Sequence, residues 1–199
     1  MIKRITLTSR LVFSMVITFA TSKGFQKEAI GYLTEHQKEI NLSAQDIQDL
    51  TLLKDYYDEY SNINRVWLQQ TAFGIPLKGG MVSIHFMNGK VVNTTNSGVF
   101  DLKKQINSFS PTLSAKDAIA KAASNVGINN IGTIELQSKE NAVYIFKPVD
   151  GLSNIEIHAE LLLVKDKQEK VQLSWEIQFH SLDEYNFWNI DIDAKNGSL

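Results

Sequence analysis

The sequence predicts an α+β protein, and three of its features carry the prediction. Phe25, Ala29, Ile30 and Leu33 recur at helical spacing with Lys and Glu between them, which marks an amphipathic helix near the start. Asn88-Gly89 joins two strand-like runs and is the strongest short hairpin signal, because both central residues of a type I′ turn need positive φ. After Pro111 a capped, alanine-rich helix leads into runs that alternate apolar with polar residues, as strands with one buried face do. The expected architecture is N-terminal helices followed by antiparallel strands, then a helix packed on an antiparallel sheet.

The elements follow in order. Lys3, Arg4 and Arg10 precede an apolar run from Leu11 to Ala20, then small residues up to Ser22, and the first acid comes only at Glu28. This is the grammar of an export signal, with cleavage expected near Ser22. The run is too short to span a bilayer, which needs about 20 apolar residues. No membrane span is expected after cleavage, and the location is secreted or extracytoplasmic. The first helix is expected over 24–40, and Ser43 with Asp46 reads as an N-cap opening a short helix over 44–49. Strands are expected over 50–57 and 65–73, then the hairpin of 81–87 with 90–96. Residues 101–110 read as polar and irregular, and a domain boundary is placed at Pro111. A helix over 115–125 ends at Gly127, and strands follow over 132–137, 142–146, 155–164, 171–179 and 188–194. The domains are then 1–22, 23–110 and 111–199. Lys195-Asn196-Gly197 is a hairpin turn with only two residues after it, so the third segment is expected to be truncated, as a piece of a longer product would be.

Composition bounds the function. The 199 residues hold 20 Lys+Arg and 22 Asp+Glu, and three bases but no acids lie in the first 22 residues. The remaining 177 residues therefore carry 17 bases and 22 acids, net −5. Non-specific nucleic-acid binding, which needs a clustered excess of cations, is not expected. At 43% hydrophobic residues the chain can bury a core. Without cysteine it has no disulfide, no thiolate nucleophile and no lipid-modified N-terminal Cys.

Catalytic motifs are missing. His36, His85, His158 and His180 are followed by Gln37, Phe86, Ala159 and Ser181, so no HExxH helix can form. His36 is expected on a helix surface, and His85 and His158 in satisfied structural roles. Gly74 and Gly79 have the spacing of a phosphate loop, but Gly80-Met81 stands where Lys-Ser/Thr is needed. Gly151-Leu152-Ser153-Asn154-Ile155 misses the serine elbow. Asp191 and Asp193 open no calcium loop, because Lys195 falls where a ligand should be, and they read as the wet side of a strand. Trp175 and Trp188 share strand faces with Leu and Ile, which points to core packing rather than a sugar platform. Glu156, His158 and Glu160 share a face by parity, which a wet strand explains as well as an enzyme site does.

Val66-Trp67-Leu68-Gln69-Gln70-Thr71-Ala72-Phe73-Gly74-Ile75-Pro76-Leu77, with Gly79-Gly80 and the Asn88-Gly89 hairpin, resembles the FTP (fungalysin/thermolysin propeptide) domain. Leu77 replaces the usual Val and Ala72-Phe73 a commoner Tyr-Asn. Asn96-Ser97-Gly98-Val99 and Ser110 to Ala115 are similar to the fungalysin branch. Leu173-Ser174-Trp175-Glu176-Ile177 and the run from Trp188 to Gly197 are similar to the PepSY-type second half of such propeptides, with a PepSY/cystatin-like fold. The resemblance implies a prosegment that acts as intramolecular chaperone and inhibitor of a fungalysin-type zinc metallopeptidase. The partner is its catalytic domain, in cis or in trans, which would hold the zinc; this chain would hold no cofactor and no catalytic residue. The motif residues of the first half are Gln70, Thr71, Gly74, Pro76, Gly79 and Gly80. Those of the second are Trp175, Trp188, Asp193, Ala194 and Gly197. Their expected roles are scaffolding: the glycines for turns, Pro76 for stiffness, Gln70 for backbone hydrogen bonds. A minority alternative puts Gln70-Thr71 or His85 at the catalytic zinc. The competing reading of the whole is a stand-alone secreted binding module or peptidase inhibitor.

Overall fold

The computed structural model describes residues 24–106, 109–166, 168–182 and 185–199; the expected export signal lies outside them. Helix α1 (Gln26–Glu35) buries Ala29 and Leu33. The helix expected over 24–40 is broken at His36, which leaves helical geometry (φ −112°, ψ 19°) before α2 (Gln37–Ile40). The His36 ring stacks on Tyr32 at 4.1 Å and its Nδ1 lies 2.9 Å from the Tyr32 carbonyl, while the backbone bonds His36 N–H to Tyr32 C=O and Ile40 N–H to His36 C=O bridge the break. Helix α3 (Ala44–Gln48) begins with the expected cap, and Asp46 returns the bond to Ser43 to complete a capping box.

Strands β1 (Thr51–Asp58), β2 (Ile63–Ala72), β3 (Ile75–Met87) and β4 (Lys90–Asn96) form an antiparallel array. Asn88 and Gly89 have φ of 51° and 74°, as the expected hairpin turn requires. One face of this array, with Val66, Leu68, Val82, Ile84 and Phe86, packs on Ala29, Leu33, Leu42 and Ile47 of the helical segment. The stretch expected to be irregular contains a short helix, α4 (Leu102–Gln105), whose Leu102 is fully buried. Its lone apolar residue gave no periodicity to read.

Helix α5 (Ala115–Asn125) lies where the cap and the alanines put it. Ala115, Ala118, Ile119, Ala122 and Ala123 form its buried face. It packs on an antiparallel array of β5 (Leu136–Glu140), β6 (Val143–Phe146), β7 (Ile157–Lys165), β8 (Val171–His180) and β9 (Phe187–Asp193). Strand β5 starts later than expected, because 132–135 make single bonds, Gly132 N–H to Asp150 and Lys147 N–H to Glu135, rather than a ladder. Leu173, Trp175, Ile177 and Phe179 are buried as alternation requires, but the opposite face of β8 is not the wet surface expected. Ser174 is 1% exposed and Glu176 8%.

Lys78 of β3 reaches Glu176 on that face. Strand β2 pairs β3 at Gln69 with Met81 and again at Thr71 with Pro76, so Gln70 alone stands opposite residues 77–80. These loop out of the first array and carry Leu77 into parallel pairing with Leu163 of β7. Nine strands thereby join in one sheet, with the path β1-β2-β3-β7-β6-β5, β4 beside β3, and β8 and β9 branching from β7. Leu77 is fully buried in the same hydrophobic cluster as Ile119, Leu163 and Trp175. Its truncation removes a large side chain that little can replace. Leu77→Ala is expected to cost about 2–5 kcal/mol, read from the urea midpoint at unchanged m-value; a change below about 1 kcal/mol would show that the loop is not an anchor.

Candidate functional site

The six residues singled out in the first half sit around this looped-out segment. Gln69 donates through one amide nitrogen to the carbonyls of Leu77 (2.7 Å), Gly80 (2.9 Å) and Gln70 (3.1 Å), closing the bulge from inside. Gln70 is fully buried and bonds backbone as expected: its amide donates to Val99 C=O at 2.6 Å, and its oxygen accepts from Val99 N–H at 2.8 Å. Thr71 donates to Asp49 C=O at 2.7 Å. Phe73 and Gly74 make a tight turn with φ of 53° and 76°. Gly80 is required by space, since a Cβ there would lie 2.6–2.9 Å from the Leu77 side chain. Gly79 is required by conformation, at φ 73°. Pro76, which has no N–H to give, opens the excursion.

Asp46 is the polar centre of the first half and is 3% exposed. One carboxylate oxygen accepts from Ser43 N–H (2.9 Å), Ser43 Oγ (2.7 Å) and Asp101 N–H (2.8 Å). The other accepts from Leu102 N–H (3.0 Å) and the Gln70 amide (3.1 Å). One acid thus caps α3, anchors α4 and meets β2. Its capping role was legible in Ser43-x-x-Asp46; its reach to residues 101–102, far along the chain, was not.

In the second half Trp175 donates its Nε1–H to Leu113 C=O at 2.8 Å and meets Tyr144 edge-on at 5.2 Å, the core role expected. Trp188 is partly buried against the same cluster. Ala194 C=O accepts from Thr112 and Leu113 N–H, both at 2.9 Å, which pins the lead into α5. Asp193 accepts from the N–H groups of Lys195 and Asn196, and Gly197 at φ 75° donates back to Asp193 C=O. The histidines do not converge with these residues. His158 is exposed, and the Nε2 of His85 is buried without a partner rather than satisfied. Burial and then the Arg65 charge hold His85 below its ordinary value. Among the described residues no group of three or more His, Asp or Glu is placed to hold a metal ion. No helix among them is long and apolar enough to cross a membrane.

The charge arrangement lies elsewhere, on the face of the second array away from α5. Register puts Glu140, Val143, Glu160, Glu176 and Asp191 in one transverse row over five strands. Lys78, from the looped-out segment, pairs with Glu176 and with Asp191 at 2.8 Å. Burial is the largest influence on Lys78 and lowers it, but the two carboxylates together hold it above its ordinary value. No cation among the described residues pairs with Glu140 or Glu160. Their end of the row opens on a cleft of about 630 Å³ between Leu53 and Pro76 on one side and Val143 and Ile145 on the other. Lys78 stood in no motif, and the row exists only once five strands are in register.

Two tests follow from this geometry. Asp46→Asn puts an amide donor among donors and is expected to cost about 1–3 kcal/mol for each N–H left unsatisfied, with loss of hydrogen-exchange protection at Leu102. Burial first, and then the Glu176 charge, hold Glu160 above its ordinary 4.5. A carboxyl raised on folding contributes stability that is complete below 4.5 and is lost as pH rises through the folded value. Glu160→Gln is therefore expected to melt about 1–3 °C above the parent at pH 7, the size of a like-charge cross-strand repulsion, and level with it below pH 4. A variant less stable at pH 7 would show that Glu160 is satisfied.

Comparison with known proteins places the looped-out segment and its strands. No curated protein matches the chain. Among solved structures, the Bacillus megaterium YpeB C-terminal domain is similar at 14% identity and a TM-score of 0.37, over 86% of this chain and 61% of that one. The chain thus spans under two thirds of that neighbour's length. Residues 48–97 match the Fungalysin/Thermolysin Propeptide Motif, FTP. From the end of α3 to the Asn96-Ser97 turn, this chain carries an FTP propeptide motif.

Proposed function

We propose that the chain is the prosegment of a fungalysin-type zinc metallopeptidase, FTP-like and then PepSY-like, exported with it and serving as its chaperone and inhibitor. The observation that carries the reading is the match of residues 48–97 to the propeptide motif. The build of that span supports it: Gln70, Thr71, Gly74, Pro76, Gly79 and Gly80 hold a joint together. The units 23–110 and 111–199 are read as the two propeptide domains. The zinc belongs to the partner's catalytic domain, in cis or in trans. A covalently attached cover acts at an effective concentration of order mM, so modest contacts keep a cleft closed until the link is cut. The cleft beside Glu160 favours a second reading, a secreted module that holds a polypeptide on its own account.

The chain without residues 1–22, added in trans, is expected to slow a fungalysin-type enzyme competitively and to raise the yield when that enzyme is refolded from denaturant. Absence of both effects at roughly tens of micromolar, far below the mM effective concentration of a tethered cover, would sink the prosegment reading.

A further inference from the structure

The cleft between the two arrays has three properties that point to one kind of occupant. Its walls have an apolar part, Leu53 and Pro76 with Val143 and Ile145, set among polar side chains such as Thr51, Gln69 and Asn141. It is lined by β1 and β5, which are the two end strands of the sheet path, so each has a side with no strand neighbour among the described residues. It also holds Glu140 and Glu160, the uncompensated end of a carboxylate row whose other end is met by Lys78. Lys139 lines the same cleft, but its ammonium lies over the Tyr144 ring at 4.7 Å. Tyr144 faces Trp175 on the α5 side of the array, so this cation is held away from Glu160.

From this geometry we infer that the cleft is a docking site for an extended polypeptide segment bearing an arginine or lysine, whose cation meets Glu160. An extended backbone suits strands with unpaired edges. Apolar neighbours of the basic residue suit the apolar part of the walls, and the cation supplies the charge that the row lacks. A carboxylate held half-buried without a partner lowers the stability of the empty chain, and such costs persist where binding repays them. A bare metal ion fits less well, since among the described residues no three His, Asp or Glu are placed to hold one. The inference stands apart from the prosegment reading: loss of trans inhibition would leave it intact, and the experiment below contains no peptidase.

The test uses the ¹⁵N-labelled chain and the peptide acetyl-Val-Ala-Arg-Ala-Val-amide, set against its citrulline analogue, which keeps the shape and loses the charge. The arginine peptide is expected to shift the amides of 51–53 and 138–143 and to saturate. The citrulline analogue and the Glu160→Gln chain should each bind at least about tenfold more weakly. Glu39→Gln, which removes an exposed acid on α2 away from the cleft, should leave affinity unchanged. Four results would overturn the inference: no shift at the cleft up to about millimolar peptide; equal binding of both peptides; undiminished binding to Glu160→Gln; or equal weakening by Glu39→Gln, which would mark general attraction to an acidic chain. Shifts at the same amides on concentrating the protein alone would assign the cleft to a second copy of this chain, and would overturn it too.

Discussion

The fold depends on a departure from pairing. Strand β3 leaves β2 after Pro76, places Leu77 beside Leu163, and returns at Met81. A bulge this long exposes backbone carbonyls that would otherwise be in a ladder, and buried carbonyls must find donors. The Gln69 amide reaches the carbonyls of Leu77 and Gly80, and Gly79 and Gly80 supply the conformation and the space. Leu77 then gains a fully buried position in a cluster built mainly from the second half. Hydrophobic burial of a leucine, about 1.5–3 kcal/mol, offsets the lost ladder bonds only because those donors are in place. The residues around this excursion, all within the span 48–97, are in this sense the parts of one joint.

The joint also sets the electrostatics. Lys78 rides on the same excursion and meets Glu176 and Asp191. Without it three carboxylates would stand side by side on adjacent strands, and like charges directly opposite are unfavourable. One lysine reaches two of them, and the next carboxylate along, Glu160, is left beside Glu176 with its proton held more tightly, by burial first and then by the Glu176 charge. The second array therefore depends on the first for its charge balance as well as for its packing. Replacing Glu176 by an apolar residue would relieve the row yet strip Lys78 of a partner.

What the sequence made legible was whatever is local. The Ser43 cap, the Asn88-Gly89 hairpin and the alanine face of α5 each rest on residues a few positions apart, and each lies as expected. The buried side of β8 was legible too, since alternation reports which residues share a face. Alternation could not report what lies on the other face, so Ser174 and Glu176 read as wet although both are buried and Lys78 of the β3 excursion meets Glu176. The break at His36 was hidden because no Pro or Gly marks it. Helix α4 was hidden because its one apolar side chain has no periodic companion and its N–H groups are held by Asp46 from 55 residues away. Gln70 was singled out through resemblance, while its neighbour Gln69, which closes the bulge, carries no sign in the sequence that separates the two.

The cleft follows from the same joint. Strand β7 has one side to share between two partners: β6 occupies it from Ile157 to Glu160, and β3 touches it at Leu163. Neither extends to meet the other: β6 turns away at Asn141, with φ 51°, and β3, parallel to β7, is paired back with β2 at Ile75 and Pro76 before it reaches Leu163. Between them Ala142 C=O accepts from Leu161 N–H, closing the backbone while leaving the space above it open. That space lies beside Glu160 because the β6 ladder ends at Glu160. A continuous strand in place of the two would bury the carboxylate row and abolish the cleft together. The site is thus a consequence of how two arrays are joined, and no single segment of the chain encodes it.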